Sequence, residues 1–392
     1  MLMTAIATLL NGFGAGDLFQ ILRDGTPRTR SELADLTGFS RSTISIRLDE
    51  LLASGLITPV ESATSTGGRP SARVALNARA RVVAGAQFGA SHATVALMDL
   101  SGEALISQRS QRDIASGPAE SLDWVVGTVA ALLEETGYRN KDLIAIGIGL
   151  PGPVEHSTGR PTSPPIMPGW DGYDVPNHIQ QAFDVPVLVD NDVNVMALGE
   201  QSRGWPEVRN MMYVKISTGI GAGIISAGSL HRGEDGSAGD IGHIAITRGA
   251  GIMCRCGNSG CLEAVAGIPA VIASLRSTGI ELSSVDQLIA LAKTGDLSAM
   301  GAIRQAGRDV GEVLNMCVSI FNPSVIIVGG ALSELSDQLI AGIREVVYSR
   351  FMPLATQNLT IAASRVGANA GAIGAGIMAI EYALAPEQIN KA

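Results

Sequence analysis

No apolar run in this chain approaches the roughly 18 consecutive residues that a membrane-spanning helix needs, so no such helix is expected. The apolar start, Met1 to Leu10, has no basic n-region and no small-residue cleavage site behind it. A signal peptide is therefore not expected, and the cytoplasm is the expected location. Cysteine is scarce, with four in 392 residues and three of those within eight positions. That is no disulfide framework; it suits a metal site in a reducing compartment. An excess of positive charge is also missing. The net charge of −9 excludes a chain that coats nucleic acid indiscriminately. What remains is a Gly-rich α/β composition, 46% hydrophobic with 47 glycines, long enough for two or three compact domains.

The deficit of positive charge is uneven. Residues 1–78 carry seven Arg and seven acids and net zero, so the whole −9 belongs to the remainder. Within this neutral head, Gly16 to Arg23 reads as a helix with Leu18, Phe19, Ile21 and Leu22 on its buried side. Thr29-Arg-Ser-Glu32 is a capping box that opens a second short helix. Gly38 allows the turn that follows. Ser40 then caps a third helix to about Ala53, with Ile44, Leu48, Leu51 and Leu52 facing inward. Arg41, Ser42, Thr43, Ser45 and Arg47 are left in its N-terminal half, where a recognition helix meets base edges. Strands at Gly55–Ile57 and Val74–Leu76 flank a basic tip, Ser65 to Pro70, whose Arg69 suits a narrow minor groove. The pattern predicts a winged helix-turn-helix domain over residues 1–78 that contacts operator DNA. A three-helix module that packs on another protein is the alternative.

Residues 79–392 form the second predicted domain. Val82–Ala86 and Ala93–Asp99 alternate like a hairpin, and Ser121–Thr136 is an amphipathic helix. Leu143–Gly149 and Val187–Asp190 are buried strands, the second delivering Asn191 and Asp192 at its C-terminal end, where ligand sites of open α/β sheets gather. Met211–Ile216, Gly223–Ile225 and Val325–Val328 supply a second set of strands, so two α/β halves with a cleft between them are expected. Taken alone, Asp192 fits a helix N-cap as well as a functional carboxylate. Thr218–Gly223 taken alone reads as a tight hairpin turn. His243, Cys254, Cys256 and Cys261 have the spacing His-x10-Cys-x-Cys-x4-Cys, which suits a metal site; three buried free thiols are the alternative.

The order Gly149-Leu-Pro-Gly-Pro-Val154, Val189-Asp-Asn-Asp-Val-Asn194, Thr218-Gly-Ile-Gly-Ala-Gly223, Gly239-Asp-Ile-Gly-His243, Cys254 to Glu263 and Val328-Gly-Gly330 resembles the ROK family (repressor, open reading frame, kinase). With the head included, it resembles the repressor branch over nearly the whole chain. The resemblance implies an actin/hexokinase-like, two-lobed sugar-kinase fold behind the winged helix. It implies that Gly152, Asn191, Asp192, Asp240, His243 and Glu263 hold a sugar, with Asp192 in the place of the catalytic base. It implies that Thr218, Gly219, Gly221 and Gly223 form a phosphate loop, and Gly329 and Gly330 an adenosine loop. It also implies a structural Zn2+ on His243, Cys254, Cys256 and Cys261, with the second ring nitrogen of His243 turned toward sugar.

Three positions depart from the family's kinases. Gln87 in Gln87-Phe-Gly-Ala-Ser91 stands where an Asp serves Mg2+ and phosphate. Pro165 replaces a sugar-binding Asn, and Asp240 replaces a Glu. ATP and Mg2+ are therefore cofactors only if kinase activity survives. The expected function is a sugar-responsive DNA-binding regulator, a homodimer or homotetramer with no membrane partner. An ATP-dependent sugar kinase with an accessory DNA domain is the alternative.

Overall fold

The computed structural model describes residues 13–60, 72–350 and 356–391. At the N-terminus lie α1 (Ala15–Leu22), β1 (Arg28–Thr29), α2 (Arg30–Thr37), α3 (Arg41–Ala53), β2 (Ile57–Val60) and β3 (Arg73–Leu76). The capping box forms as predicted. Thr29 Oγ1 accepts from the Glu32 N–H at 3.1 Å, and the Glu32 carboxylate accepts from the Thr29 N–H at 2.7 Å. Gly38, at φ 75°, ends α2 in the left-handed conformation. Ser40 caps α3 by accepting from Thr43 N–H at 3.2 Å. The three strands pair in the order β1-β3-β2. The short β1 was not evident from sequence, because two residues carry no period. The wing tip with Arg69 lies outside the described residues.

The rest of the chain builds two five-stranded sheets of the same design. β4 (Val82–Phe88), β5 (His92–Asp99), β6 (Ala104–Gln111), β7 (Leu143–Leu150) and β10 (Val187–Asn191) form the first, in the order β10-β7-β4-β5-β6. A two-stranded ribbon, β8 (Val154–Glu155) and β9 (Arg160–Pro161), lies between β7 and β10 in the chain. β11 (Met211–Ile216), β12 (Ile220–Ser226), β13 (Ser229–His231), β14 (Val325–Gly329) and β15 (Thr360–Ala363) form the second, in the order β13-β12-β11-β14-β15. In each, an antiparallel three-strand meander is extended by two parallel strands on the inner side. This repeat is the actin/hexokinase-like two-lobed fold that was expected. β6 escaped the sequence reading because it is a polar edge strand, exposed along most of its length.

Helices cover both sheets: α4 (Pro118–Thr136), α5 (Val175–Gln180), α6 (Asp192–Gly204), α7 (Leu262–Ala266), α8 (Ile268–Ser277), α9 (Val285–Lys293), α10 (Leu297–Phe321), α11 (Ser336–Arg350), α12 (Ala370–Ala383) and α13 (Pro386–Ile389). α6 and α12 lie side by side between the lobes. A Cβ on Gly199 would fall 2.0 Å from the Ala370 carbonyl oxygen, and one on Gly374 1.7 Å from that of Val195. Only two glycine-faced helices can approach so closely. α12 also presses on the first sheet, where a Cβ on Gly147 would fall 1.9 Å from Ala375 O. The N-terminal unit does not hang free. Its core residues Leu18, Phe19 and Leu22 join Met98, Leu100, Ile380 and Leu384 of the body in one apolar cluster. Among the described residues no helix is long and apolar enough to cross a membrane.

Candidate functional site

The cleft site is built on the junction of β10 and α6. Asn191 is the N-cap of α6: its side-chain oxygen accepts from Val193 N–H at 2.9 Å, and its amide donates to Gly152 O at 2.8 Å. The cap is thus Asn191, and Asp192 is the first helical residue. That frees the Asp192 carboxylate from backbone duty. It is 3% exposed and forms an ion pair with Lys215 of β11. Beside it, Asp190 is fully engaged. It accepts from Asn191 N–H and Asn194 Nδ2, both at 2.7 Å, and from Arg232 Nε at 2.6 Å.

Sequence reasoning missed Lys215, Arg232, Asp190 and Asn194. A signal for Lys215 was present: it is the single charge in the strand Met-Met-Tyr-Val-Lys-Ile. Arg232 lies in a loop, and nothing in its neighbourhood announced a partner more than forty residues away.

The remaining candidates lie on α7, the β11–β12 turn, β12, the end of β14 and the loop that carries His243. Glu263, in the first turn of α7, accepts from Ile220 N–H at 3.2 Å and from Arg255 Nη2 at 2.9 Å. It backs onto the β11–β12 turn, where a Cβ on Gly219 would meet its carboxylate at 2.8 Å. Thr218 and Gly219 lie at that turn, closed by Ser217 N–H donating to Gly219 O at 2.9 Å. Gly221 and Gly223 sit within β12, opposite Lys215 and Tyr213. At Gly223 the glycine has a packing reason, since a Cβ would strike Val193 O at 2.6 Å. Gly330 takes φ 97° directly after β14, and a Cβ there would lie 2.5 Å from Ile216 O. Gly329 closes the same strand.

His243 joins these residues to a cysteine cluster. Its Nδ1 lies 3.8 Å from Cys254 Sγ, and its Nε2 lies 4.0 Å from Asp240 Oδ1. One ring nitrogen thus faces the cysteines and the other Asp240. The donor atoms of His243, Cys254, Cys256 and Cys261 all lie within 4.8 Å of one another, and the Cys256–Cys261 sulfur separation is 3.7 Å. A tetrahedral zinc with thiolates at about 2.3 Å has S–S edges of about 3.8 Å, so the set fits that ion. Backbone hydrogen bonding at Asn258 draws the Cys256 thiol down to about 7, while burial pushes Cys261 up to about 12. Burial likewise raises the Asp240 carboxyl, opposed by His243.

The departures occupy defined places. Gln87 is buried; its Nε2 donates to Phe88 O at 3.0 Å and its Oε1 has no partner. Pro165 is exposed on the loop between β9 and α5. His92, where β5 begins, is held down to about 4 by burial, with Arg109 and Lys215 adding to the effect.

On the N-terminal unit, α3 has no acid in its first turn. Arg41 and Ser42 are exposed, with Arg41 Nη2 donating to Ser31 Oγ at 3.1 Å. Thr43 and Ser45 are half-buried, Thr43 Oγ1 sharing a 2.9 Å hydrogen bond with Ser40. Arg47 turns away from this face: it donates to Phe13 O at 3.2 Å and to Glu50 at 2.9 Å. Ile46, which was not singled out, occupies the outer face instead and is 58% exposed.

The ROK family model matches residues 83–382. The chain belongs to the ROK family. Its ROK relatives include the xylose repressor of Bacillus spizizenii, 30% identical over 368 residues that cover 94% of each chain. The DNA-binding transcriptional dual regulator NagC of Escherichia coli is 25% identical, covering 94% of this chain and 92% of its own. Among solved structures, a ROK transcriptional regulator described as a homologue of the E. coli MLC protein superposes with a TM-score of 0.82. That match covers 96% of both chains at 26% identity. A ROK glucokinase from Streptomyces griseus, in complex with glucose and AMPPNP, gives a TM-score of 0.65 at 27% identity. It covers 76% of this chain and 99% of the kinase. The ROK body is thus shared with kinases, and the full length with regulators.

Proposed function

We propose that this protein is a sugar-responsive transcriptional regulator, a repressor of carbohydrate metabolism or transport genes. Residues 1–78 would read operator DNA, and residues 79–392 would bind the sugar. One observation carries the reading: an exposed helix face headed by Arg41 sits on a body whose base-equivalent Asp192 is held by Lys215. The names of full-length relatives, a xylose repressor and a DNA-binding transcriptional dual regulator, agree with it. Sugar is received between the lobes by Gly152, Asn191, Asp192, Asp240, His243 and Glu263. It shifts the position of the N-terminal units only as far as it prefers one arrangement of the lobes over the other. A cytoplasmic homodimer or homotetramer would place two such units on spaced half-sites. His243, Cys254, Cys256 and Cys261 would hold a structural zinc, which crosslinks the loop that carries His243 and precedes Glu263.

The test is a gel shift of the full chain on duplexes from its own upstream region, with D-xylose, D-glucose and N-acetyl-D-glucosamine added in turn. One of these sugars should release the duplex. No retention of any duplex with or without sugar refutes the reading. A second reading, an ATP-dependent sugar kinase, is favoured by the burial of Asp192 at the start of α6, just past β10. ATP and Mg2+ would then be required on Thr218, Gly219, Gly221, Gly223, Gly329 and Gly330. Sugar-dependent ADP release that Asp192→Asn abolishes would decide for it.

A further inference from the structure

Two groups around Asp192 differ in charge from what phosphoryl transfer asks for, and they lie together. A Cβ on Gly149 would fall 3.4 Å from Gln87 Cγ and 3.6 Å from Asp192 Cα, so Gln87 and Asp192 flank one glycine. Gln87 is neutral where Mg2+ and phosphate need a carboxylate. Lys215 is positive and directly paired with Asp192. Its side chain is only 15% exposed, on a strand whose register partners are Gly221 and Gly329, both without side chains. Desolvating an ammonium in such a place is costly unless its N–H groups are used. Lysine has three, and Asp192 accounts for one contact.

Among the described residues no other group accepts from Lys215 Nζ, and the proposed occupant of the site is made of hydroxyls. A hydroxyl donates once and accepts up to twice. A carboxylate beside an ammonium meets both needs at adjacent positions of a sugar ring, with charge-assisted hydrogen bonds on each side. The same ammonium repels a second cation brought to that spot, Mg2+ on a nucleotide included. We infer that Lys215 is a ligand-reading residue: with Asp192 it forms a charged pair that reads adjacent hydroxyls of an uncharged sugar, without metal or nucleotide. This rests on the carbohydrate-sensing function proposed above. Lys215 supplies the positive charge at the place where a kinase would need magnesium phosphate.

The experiment is titration calorimetry on the full chain with D-xylose, D-glucose and N-acetyl-D-glucosamine, in buffer free of ATP and Mg2+. The sugar that binds is then compared with its monodeoxy analogues. Wild type loses tenfold or more in affinity for at least one analogue. Lys215→Met binds the parent sugar at least tenfold more weakly and shows no further loss with that analogue. Arg232→Met, which breaks the neighbouring pair with Asp190, keeps the full deoxy penalty. Lys215→Arg keeps the positive charge, and where its Tm equals that of wild type a lost or relocated deoxy penalty cannot come from unfolding. An unchanged affinity in Lys215→Met, or an unchanged deoxy profile in Lys215→Arg, overturns the inference and leaves sugar sensing standing. A wild type that binds none of the three sugars removes both together.

Discussion

Ile46 shows how much one side chain can decide. It lies on the outer face of α3 with Ser42 and Asp49, all exposed. In a major groove, the natural partner of an exposed aliphatic group is the thymine methyl. Ile46→Ala should weaken binding to a duplex selected from a randomised pool by about 1 kcal/mol per half-site. Replacing the contacted thymine by deoxyuridine should weaken wild type alone; equal loss in both proteins would place Ile46 off the bases. Arg47→Ala should instead cost folding stability, because its partners are Phe13 O and Glu50. His92 offers a second test. Burial holds its folded pKa at about 4, below the unfolded value. Between about pH 6.5 and 4 the unfolded chain therefore binds more protons, and stability falls as pH falls through that window. His92→Gln should reduce the drop in Tm between pH 7 and pH 5 by about 1–2 °C in a calorimetric scan.

At the scale of elements, the central contact is α12 against the first sheet and α6. The Gly147 and Gly85 strand positions face the carbonyls of Ala375 and Ala372, at 1.9 and 2.0 Å for a built Cβ. No rotamer relieves a clash with backbone. Gly147→Ala should lower the unfolding free energy by about 3 kcal/mol or more, read from a urea midpoint. The sequence made β7 a buried strand, yet it gave no hint that its glycines face a helix more than two hundred residues away. The cysteine loop is the opposite case, legible from spacing because all four donors lie within nineteen residues. Chelator treatment or Cys261→Ser should reduce sugar affinity by about tenfold while sugar-free DNA binding persists. Calorimetry and gel shift on the same sample measure the two effects.

At the scale of the molecule, the question is how the two lobes and the N-terminal unit communicate. α1 docks on α13: Gly16 N–H donates to Asn390 Oδ1 at 2.8 Å and Gln20 donates to Leu384 O at 2.7 Å. A Cβ on Gly16 would fall 2.4 Å from Pro386 O, so this seat is tight. Close by, the Glu381 carboxyl is raised by partial desolvation although the residue is exposed to solvent, and Arg23 beside α1 and Arg232, the partner of Asp190, oppose the rise. Glu381 thus feels both the cation paired with Asp190 and the one beside α1, which makes it the point to test for a route between them. Glu381→Gln should leave sugar-free DNA affinity within about twofold and cut the sugar-induced weakening at least threefold, in gel shifts with and without sugar. Equal responses in both proteins would remove Glu381 from the route.

The sequence by itself determined the helix starts at Thr29 and Ser40, the strand ending in Asn191–Asp192, and the cysteine donor set. Each rests on residues close together in the chain, where capping geometry, side-chain period and ligand spacing act locally. Only the tertiary structure decided that Arg47 bonds Phe13 O and Glu50 while Ile46 faces solvent, and that Asn191 rather than Asp192 caps α6. It alone paired Lys215 with Asp192 and Arg232 with Asp190. Those outcomes depend on which distant strand or helix comes alongside. A buried charge takes its partner from whatever the packed fold brings within reach.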